Sequence, residues 1–247
     1  MLCRRAAALV LAALLVACGG GKAPRRVRLQ VLAAASLREA FTEIGRRIER
    51  NDRSTKVVLE FGGSSALVRQ LHEGAPADVV ATADRPTMQQ AVEAGDVTTP
   101  RVFAHNKLEI VVPRNNPREV AGLADFARLP VVALAAPSVP AGRYAAEAFA
   151  RAGLPVPSAS QEPDVKAVLT KVELGEADAG IVYVTDARAA GQRVTVVPIP
   201  PEHNVVADYL MAAVRASKHR REALAFVAAV RSPSGRRVLE GFGFAGP

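Results

Sequence analysis

Short apolar runs alternate along this chain with stretches whose apolar residues recur every three or four positions. The runs at 28–35 (RLQVLAAA), 55–61, 78–81, 106–113, 130–137, 179–183 and 193–200 predict strands, and 205–214 is a further apolar run. Helical spacing appears at 37–49, where Leu37, Ala40, Phe41, Ile44 and Ile48 recur. It appears again at 62–74, 85–95, 141–154, from Val165 onward, and near 219–230 and 233–240. GLADFARL near 122–129 predicts a short helix, 155–163 a turn-rich connection, and 184–187 a turn. Alternation of strand and helix predicts an α/β fold with mostly parallel sheets and right-handed crossovers.

Four of the helices begin in loops of Ser, Gly, Pro, Ala or Asp: near Ser36, Ser64, Pro140 and Asp164. A helix start carries free N–H groups and a partial positive charge, which suits an anion. Ser36 with Glu39 fits the S-x-x-E capping pattern, so its hydroxyl can close the helix or face a ligand. Ser64 and Ser65 follow Gly62 and Gly63 with the same two options, cap or contact. Pro140 sets a helix start, after which Ala141 and Gly142 leave their amides unscreened. Tyr183, one of three tyrosines, ends a strand and can donate to an oxyanion or pack as an ordinary aromatic.

The amino end has a different pattern. Arg4 and Arg5 precede an unbroken apolar run at 6–17, too short to span a bilayer and shaped like an export signal. It ends LVAC (15–18), followed by GGGKAPRR, which resembles the lipobox of bacterial lipoproteins. That resemblance implies a signal peptide at 1–17, cleavage before Cys18, lipid on Cys18, and a linker at 18–26. Cys3 and Cys18 are the only cysteines, so the mature body has neither a disulfide nor a thiolate metal site. The formal charge is +8, and +6 once Arg4 and Arg5 are removed. With 4% aromatic residues and no helix carrying a one-sided basic stripe, nucleic acid is not the expected partner. A linker beside anionic lipid headgroups accounts for KAPRRVR at 22–28.

Enzyme motifs are missing. Ser64 is not followed by the lysine of a phosphate-binding loop, and no G-x-S-x-G is present. A hydrolase built from Ser64, His72 and Asp78 would leave the histidine two helical turns, about 12 Å, from the serine. His72, His105, His203 and His219 show no metal-ligand spacing.

In order along the chain stand AAASLREAF (33–41), FGGSSALVRQLHEGAPADVVATAD (61–84), NKLEIVVP (106–113), VPAGRYA (139–145), DVKAVLTKVELGEADAGIVYVTDA (164–187) and GFGF (241–244). Together they resemble the periplasmic molybdate-binding proteins of ABC transporters, a branch of the type II solute-binding fold. The resemblance implies two lobes, with 27–104 and 201–247 in one and 105–200 in the other. It implies a dianion held by Ser36, Ser64, Ala141, Val165 and Tyr183, with Ala141 and Val165 giving main-chain amides. The metal of the ion is then reached only through its oxygens, with no direct metal ligand, no cofactor and no arginine or lysine in the pocket. The expected partners are molybdate or tungstate, a permease and, through Cys18, a membrane, with the protein itself a monomer and not an enzyme. Sulfate or phosphate is the alternative ligand. For a protonated phosphate, Asp164 would have to accept a hydrogen bond instead of capping its own helix. The chain departs from the family pattern in lacking tryptophan, in DRPTM at 84–88, and in ADYLMAAV at 207–214.

Overall fold

The computed structural model describes residues 26–247. The signal peptide, Cys18 and nearly all of the linker expected at 18–26 lie outside the described residues. Nine strands and eight α-helices follow. β1 (Val27–Ala34), β2 (Thr55–Gly62) and β3 (Val79–Thr82) form a parallel unit ordered β2-β1-β3, with α1 (Arg38–Asn51), α2 (Ser64–His72) and α3 (Arg85–Glu93) as its helices. A second parallel unit comprises β5 (Val132–Ala135), β6 (Ser160–Glu162) and β7 (Ala179–Tyr183), with β5 central. Its helices are α4 (Pro140–Arg151), α5 (Val165–Glu173) and α6 (Val184–Ala190).

β4 (Arg101–Pro113) joins the two units, with β8 (Val194–Pro198) and β9 (Val206–Ala213) beside it. β9 pairs antiparallel with β3 and with β4 as far as Lys107. From Leu108 onward β4 pairs antiparallel with β7 and β8 instead. The expectation of mostly parallel sheets therefore needs correction, because four strand pairings are parallel and four antiparallel. The antiparallel pairings all involve β4 or β9. None of the four antiparallel pairs joins strands consecutive in the chain, so no single βαβ crossover constrains them to run parallel. α7 (Arg220–Arg231) and α8 (Pro233–Gly241) close the chain against α1.

One apolar core runs through both units. Phe41 of α1 packs against Phe103 of β4 and Phe226 of α7 at ring separations of 5.8 and 5.6 Å. Tyr209 of β9 stacks edge-on with Phe103, Tyr183 and Phe244. A second cluster, with Leu67, Leu71, Val80, Met88 and Leu210, fills the space under α2 and α3.

Two elements escaped the sequence pattern. β6 is three residues long inside the turn-rich piece, too short for a period to register. α6 occupies the stretch read as a turn, where Asp186 accepts the Tyr183 N–H at 3.3 Å and so starts a helix. α4 starts at Pro140 as expected, but Gly142 is needed for packing and does not line the cavity: it lies against the carbonyls of Ala135 and Ala136 where a Cβ would clash with backbone. Gly142→Ala is therefore expected to cost about 1–3 kcal/mol, seen as a lower urea midpoint. Unchanged stability would show that α4 tolerates displacement from the end of β5.

Candidate functional site

The site forms at the carboxyl edges of the two parallel units, where crossover helices begin. Ser36 sits in a 3-10 turn (Ala35–Leu37) leading into α1. Ser64 is the first residue of α2, Ala141 the second of α4, and Val165 the first of α5, while Tyr183 ends β7. All five line one small cavity, together with Ala34, Ala35, Gly62, Gly63, Ala83, Val139, Pro140 and Asp164. Neither arginine nor lysine is among the lining residues. The sequence reading thus named one polar or amide contact on each of five elements. It did not name the small residues that make the wall.

The hydroxyls are arranged as donors. Ser64 Oγ accepts the Ala83 N–H at 3.1 Å, which leaves its proton free. The capping box expected at Ser36 and Glu39 does not form, since the start of α1 has no side-chain cap. Ser36 Oγ lies 2.7 Å from Tyr209 Oη instead. Asn106 Nδ2, which can only donate, reaches Tyr209 Oη at 3.5 Å and Thr185 Oγ1 at 3.0 Å. With Asn106 donating to Tyr209, the Tyr209 hydroxyl can in turn donate to Ser36 and so free the Ser36 proton for the cavity. Tyr183 Oη is buried with no partner. Burial, and then Tyr209 beside it, pushes the Tyr183 hydroxyl well above the ordinary phenol range, so it stays a donor. Asp164, the one carboxylate on the wall, accepts the Lys166 and Ala167 N–H groups at 2.8 and 3.0 Å as the cap of α5.

The two units meet around this cavity. Gly63 approaches the Pro163 carbonyl so closely that a Cβ would clash. Ser65 Oγ donates to the Ser138 carbonyl, and Arg143 of α4 pairs with Asp84, the cap of α3. One residue beyond Val165, Lys166 Nζ lies 2.9 Å from Glu39 of α1 and 3.1 Å from Asp186 of α6. Burial lowers the Lys166 ammonium, but Asp186 and Glu39 outweigh it and raise it overall. Burial raises Asp186 to about 6, although Lys166 opposes this; Glu39 adds to the rise. Neither this cluster nor the Asn106–Tyr209–Ser36 chain was found by sequence reasoning, because their members are scattered along the chain. His72, by contrast, lies exposed near Asp96 at 3.3 Å and reaches neither serine.

The bacterial extracellular solute-binding protein model matches residues 29–245, nearly all of the described chain. The chain belongs to this family. Its solute-binding relatives include the molybdate-binding protein ModA of Mycobacterium tuberculosis H37Rv, 38% identical over 248 residues, covering 96% of this chain and 95% of the relative. YvgL of Bacillus subtilis, named as an ABC transporter substrate-binding lipoprotein, is 31% identical over 226 residues, covering 89% and 87%. The periplasmic molybdate-binding protein of Azotobacter vinelandii superposes with a TM-score of 0.76 over 89% of this chain and 99% of that one. At 17% identity this shows the type II binding-protein fold. Among the described residues no helix is long and apolar enough to cross a membrane.

Asp186 yields a pH test of this solute-binding protein. Its raised folded-state value means that the native state holds this proton more tightly than the unfolded chain, where the ordinary value is 3.8. Its contribution is fully present below that unfolded value and is lost as pH rises toward about 6, by a few kcal/mol at most. Asp186→Asn removes this loss. Its stability relative to the parent should climb between about pH 4 and 7 in urea melts taken at each pH. A flat difference would place the Asp186 titration elsewhere.

Proposed function

We propose that this protein captures molybdate or tungstate in the cavity bounded by Ser36, Ser64, Ala141, Val165 and Tyr183, and passes it to an ABC transporter permease. The observation that carries the reading is the convergence of three hydroxyl groups able to donate and four helix starts on one small cavity with no arginine or lysine on its wall. Identity of 38% to a molybdate-binding relative supports the choice of ion. Helix starts contribute roughly 0.3–2 kcal/mol each toward an anion. Hydrogen bonds to a charged group contribute about 1.5–3 kcal/mol each. Five or more such contacts offset the cost of stripping water from a dianion.

A fully ionised tetrahedral oxyanion needs only donors. A protonated phosphate needs an acceptor as well, and the only carboxylate on the wall, Asp164, is held by its own helix through Oδ1. Ser64 lacks the base that hydrolysis demands, so the reading is of a binding protein and not an enzyme. The pairing switch on β4 between Lys107 and Leu108 supports two lobes, 27–104 with 201–247 and 105–200, closing by rotation about β4 and the segment before β9. Cys18, directly after the apolar run, is read as the lipid-bearing residue that holds the protein on the outer face of a bacterial membrane.

Calorimetric titration of the mature chain with molybdate, tungstate, sulfate and phosphate tests the choice of ligand, with tight binding expected for the first two alone. Tyr183→Phe should weaken molybdate by about 10- to 100-fold, as loss of one donor to a charged ligand implies. It should not lower the ligand-free melting temperature, because the hydroxyl has no partner to lose. Normal affinity in Tyr183→Phe would remove this hydroxyl from the site. Cys18→Ser should release the protein from the membrane fraction of the producing cell, and unchanged retention would reject the lipid anchor.

A further inference from the structure

The strongest charge feature outside the cavity lies where the described chain begins. Arg26, Arg46, Arg50 and Arg53 surround a groove whose only other lining residue is Glu49. All four arginines are exposed, and Arg46 and Arg50 stand one turn apart on α1, which corrects the expectation that no helix carries a basic face. Glu43 engages Arg47 at 2.6 Å and Arg50 at 3.6 Å, and Glu49 engages Lys56 at 3.1 Å. Arg26, Arg46 and Arg53 make no ion pair among the described residues. The patch joins the start of β1 to the end of α1, two elements that run in opposite directions.

We infer that this arginine patch is a docking surface for an anionic phospholipid bilayer, holding the protein in one orientation on the membrane to which Cys18 tethers it. The inference rests on the lipid-anchor reading above for its biological setting. Its first argument is reach. Seven residues lie between Cys18 and Arg26, so at most about 28 Å of extended chain joins them. Three of the seven, Gly19 to Gly21, are glycine, and Lys22 and Arg25 add charge of the same sign. The patch is thus kept within a few Debye lengths of the headgroups, about 8 Å each at physiological salt. The second argument is complementarity, because guanidinium groups pair with phosphate through parallel hydrogen bonds. The third is the direction of the elements. Ser36 lies at the opposite end of β1 and α1 from the patch. Eight residues of strand or fourteen of helix set the cavity roughly 20–25 Å from the docked surface, clear of the headgroups.

The test uses the mature chain with Cys18→Ser, so that no acyl chain contributes, and vesicles of phosphatidylcholine with or without phosphatidylglycerol. Cosedimentation at low salt should require the anionic lipid and should vanish at about 0.5 M salt. Each basic residue at such a surface is worth about fivefold in partitioning, so Arg26→Gln, Arg46→Gln and Arg53→Gln together should lower it about a hundredfold. Molybdate titration of the same triple variant should be unchanged. That control separates failure at the patch from failure of the cavity assignment. Equal partitioning of parent and triple variant overturns the inference, as does binding to neutral vesicles. Tighter binding to a single-stranded oligonucleotide than to anionic vesicles at the same salt overturns it too, by making the patch a nucleic-acid surface.

Discussion

The thirteen residues of β4 hold both parallel units in one hydrogen-bonded frame. Its first half is fixed to β9, and through β9 to β3; its second half is fixed to β7 and β8. The changeover at Lys107 and Leu108 is itself clamped, since the Asn204 side chain accepts from the Leu108 N–H at 3.0 Å and donates to the Leu108 carbonyl at 2.9 Å. With both units carried on one strand, the carboxyl edges of β1 and β2 are brought opposite those of β5 and β7. The cavity follows from that arrangement, since helix starts on those edges have no other place to point. Two short loops on opposite sides, at Gly63 and Pro163, approach within a distance only glycine permits. A bulkier residue there would hold the walls apart.

The elements that form the cavity were legible because each is written locally. A strand that runs into Ser-Leu-Arg-Glu, Gly-Gly-Ser-Ser or Val-Pro-Ala-Gly announces a helix start in four residues, and Asp164 caps α5 as its position predicts. The motif resemblance then placed one contact on each element, and the structure brings all five to a single cavity. The direction of the strands at the centre was less legible. Periodicity reports which face of a strand is buried and says nothing of which neighbour it takes, so β4 and β9 could not be recognised as the antiparallel pair that joins the units.

Ser36 shows where a local pattern loses to tertiary structure. The S-x-x-E pattern offers a capping box worth about 1 kcal/mol. In the fold both members find other partners: Ser36 pairs with Tyr209, 173 residues away, and Glu39 pairs with Lys166, 127 residues away. A buried hydroxyl facing a second buried hydroxyl is held more firmly than one capping an exposed turn. The helix start that results has no side-chain cap, and the Arg38 N–H is taken by the Ala35 carbonyl of the 3-10 turn. Tyr209 sits in ADYLMAAV, one of the stretches that departs from the family pattern, and its role is to orient Ser36 from behind the wall.

A cation does stand near the cavity, at Lys166, one residue past Val165, yet the wall remains free of charge apart from the capped Asp164. The ammonium is spent on two carboxylates, Glu39 and Asp186, from opposite units. Had Lys166 faced the cavity, any anion of suitable size would gain from it, whatever its shape or protonation. Hydroxyls and amides fixed in direction act only at short range and only along their own axes, so they favour an ion whose oxygens fall on all of those axes at once. The same lysine, turned away, bridges the two units beside the cavity. One residue thus ties the two units together while its charge is withheld from the cavity.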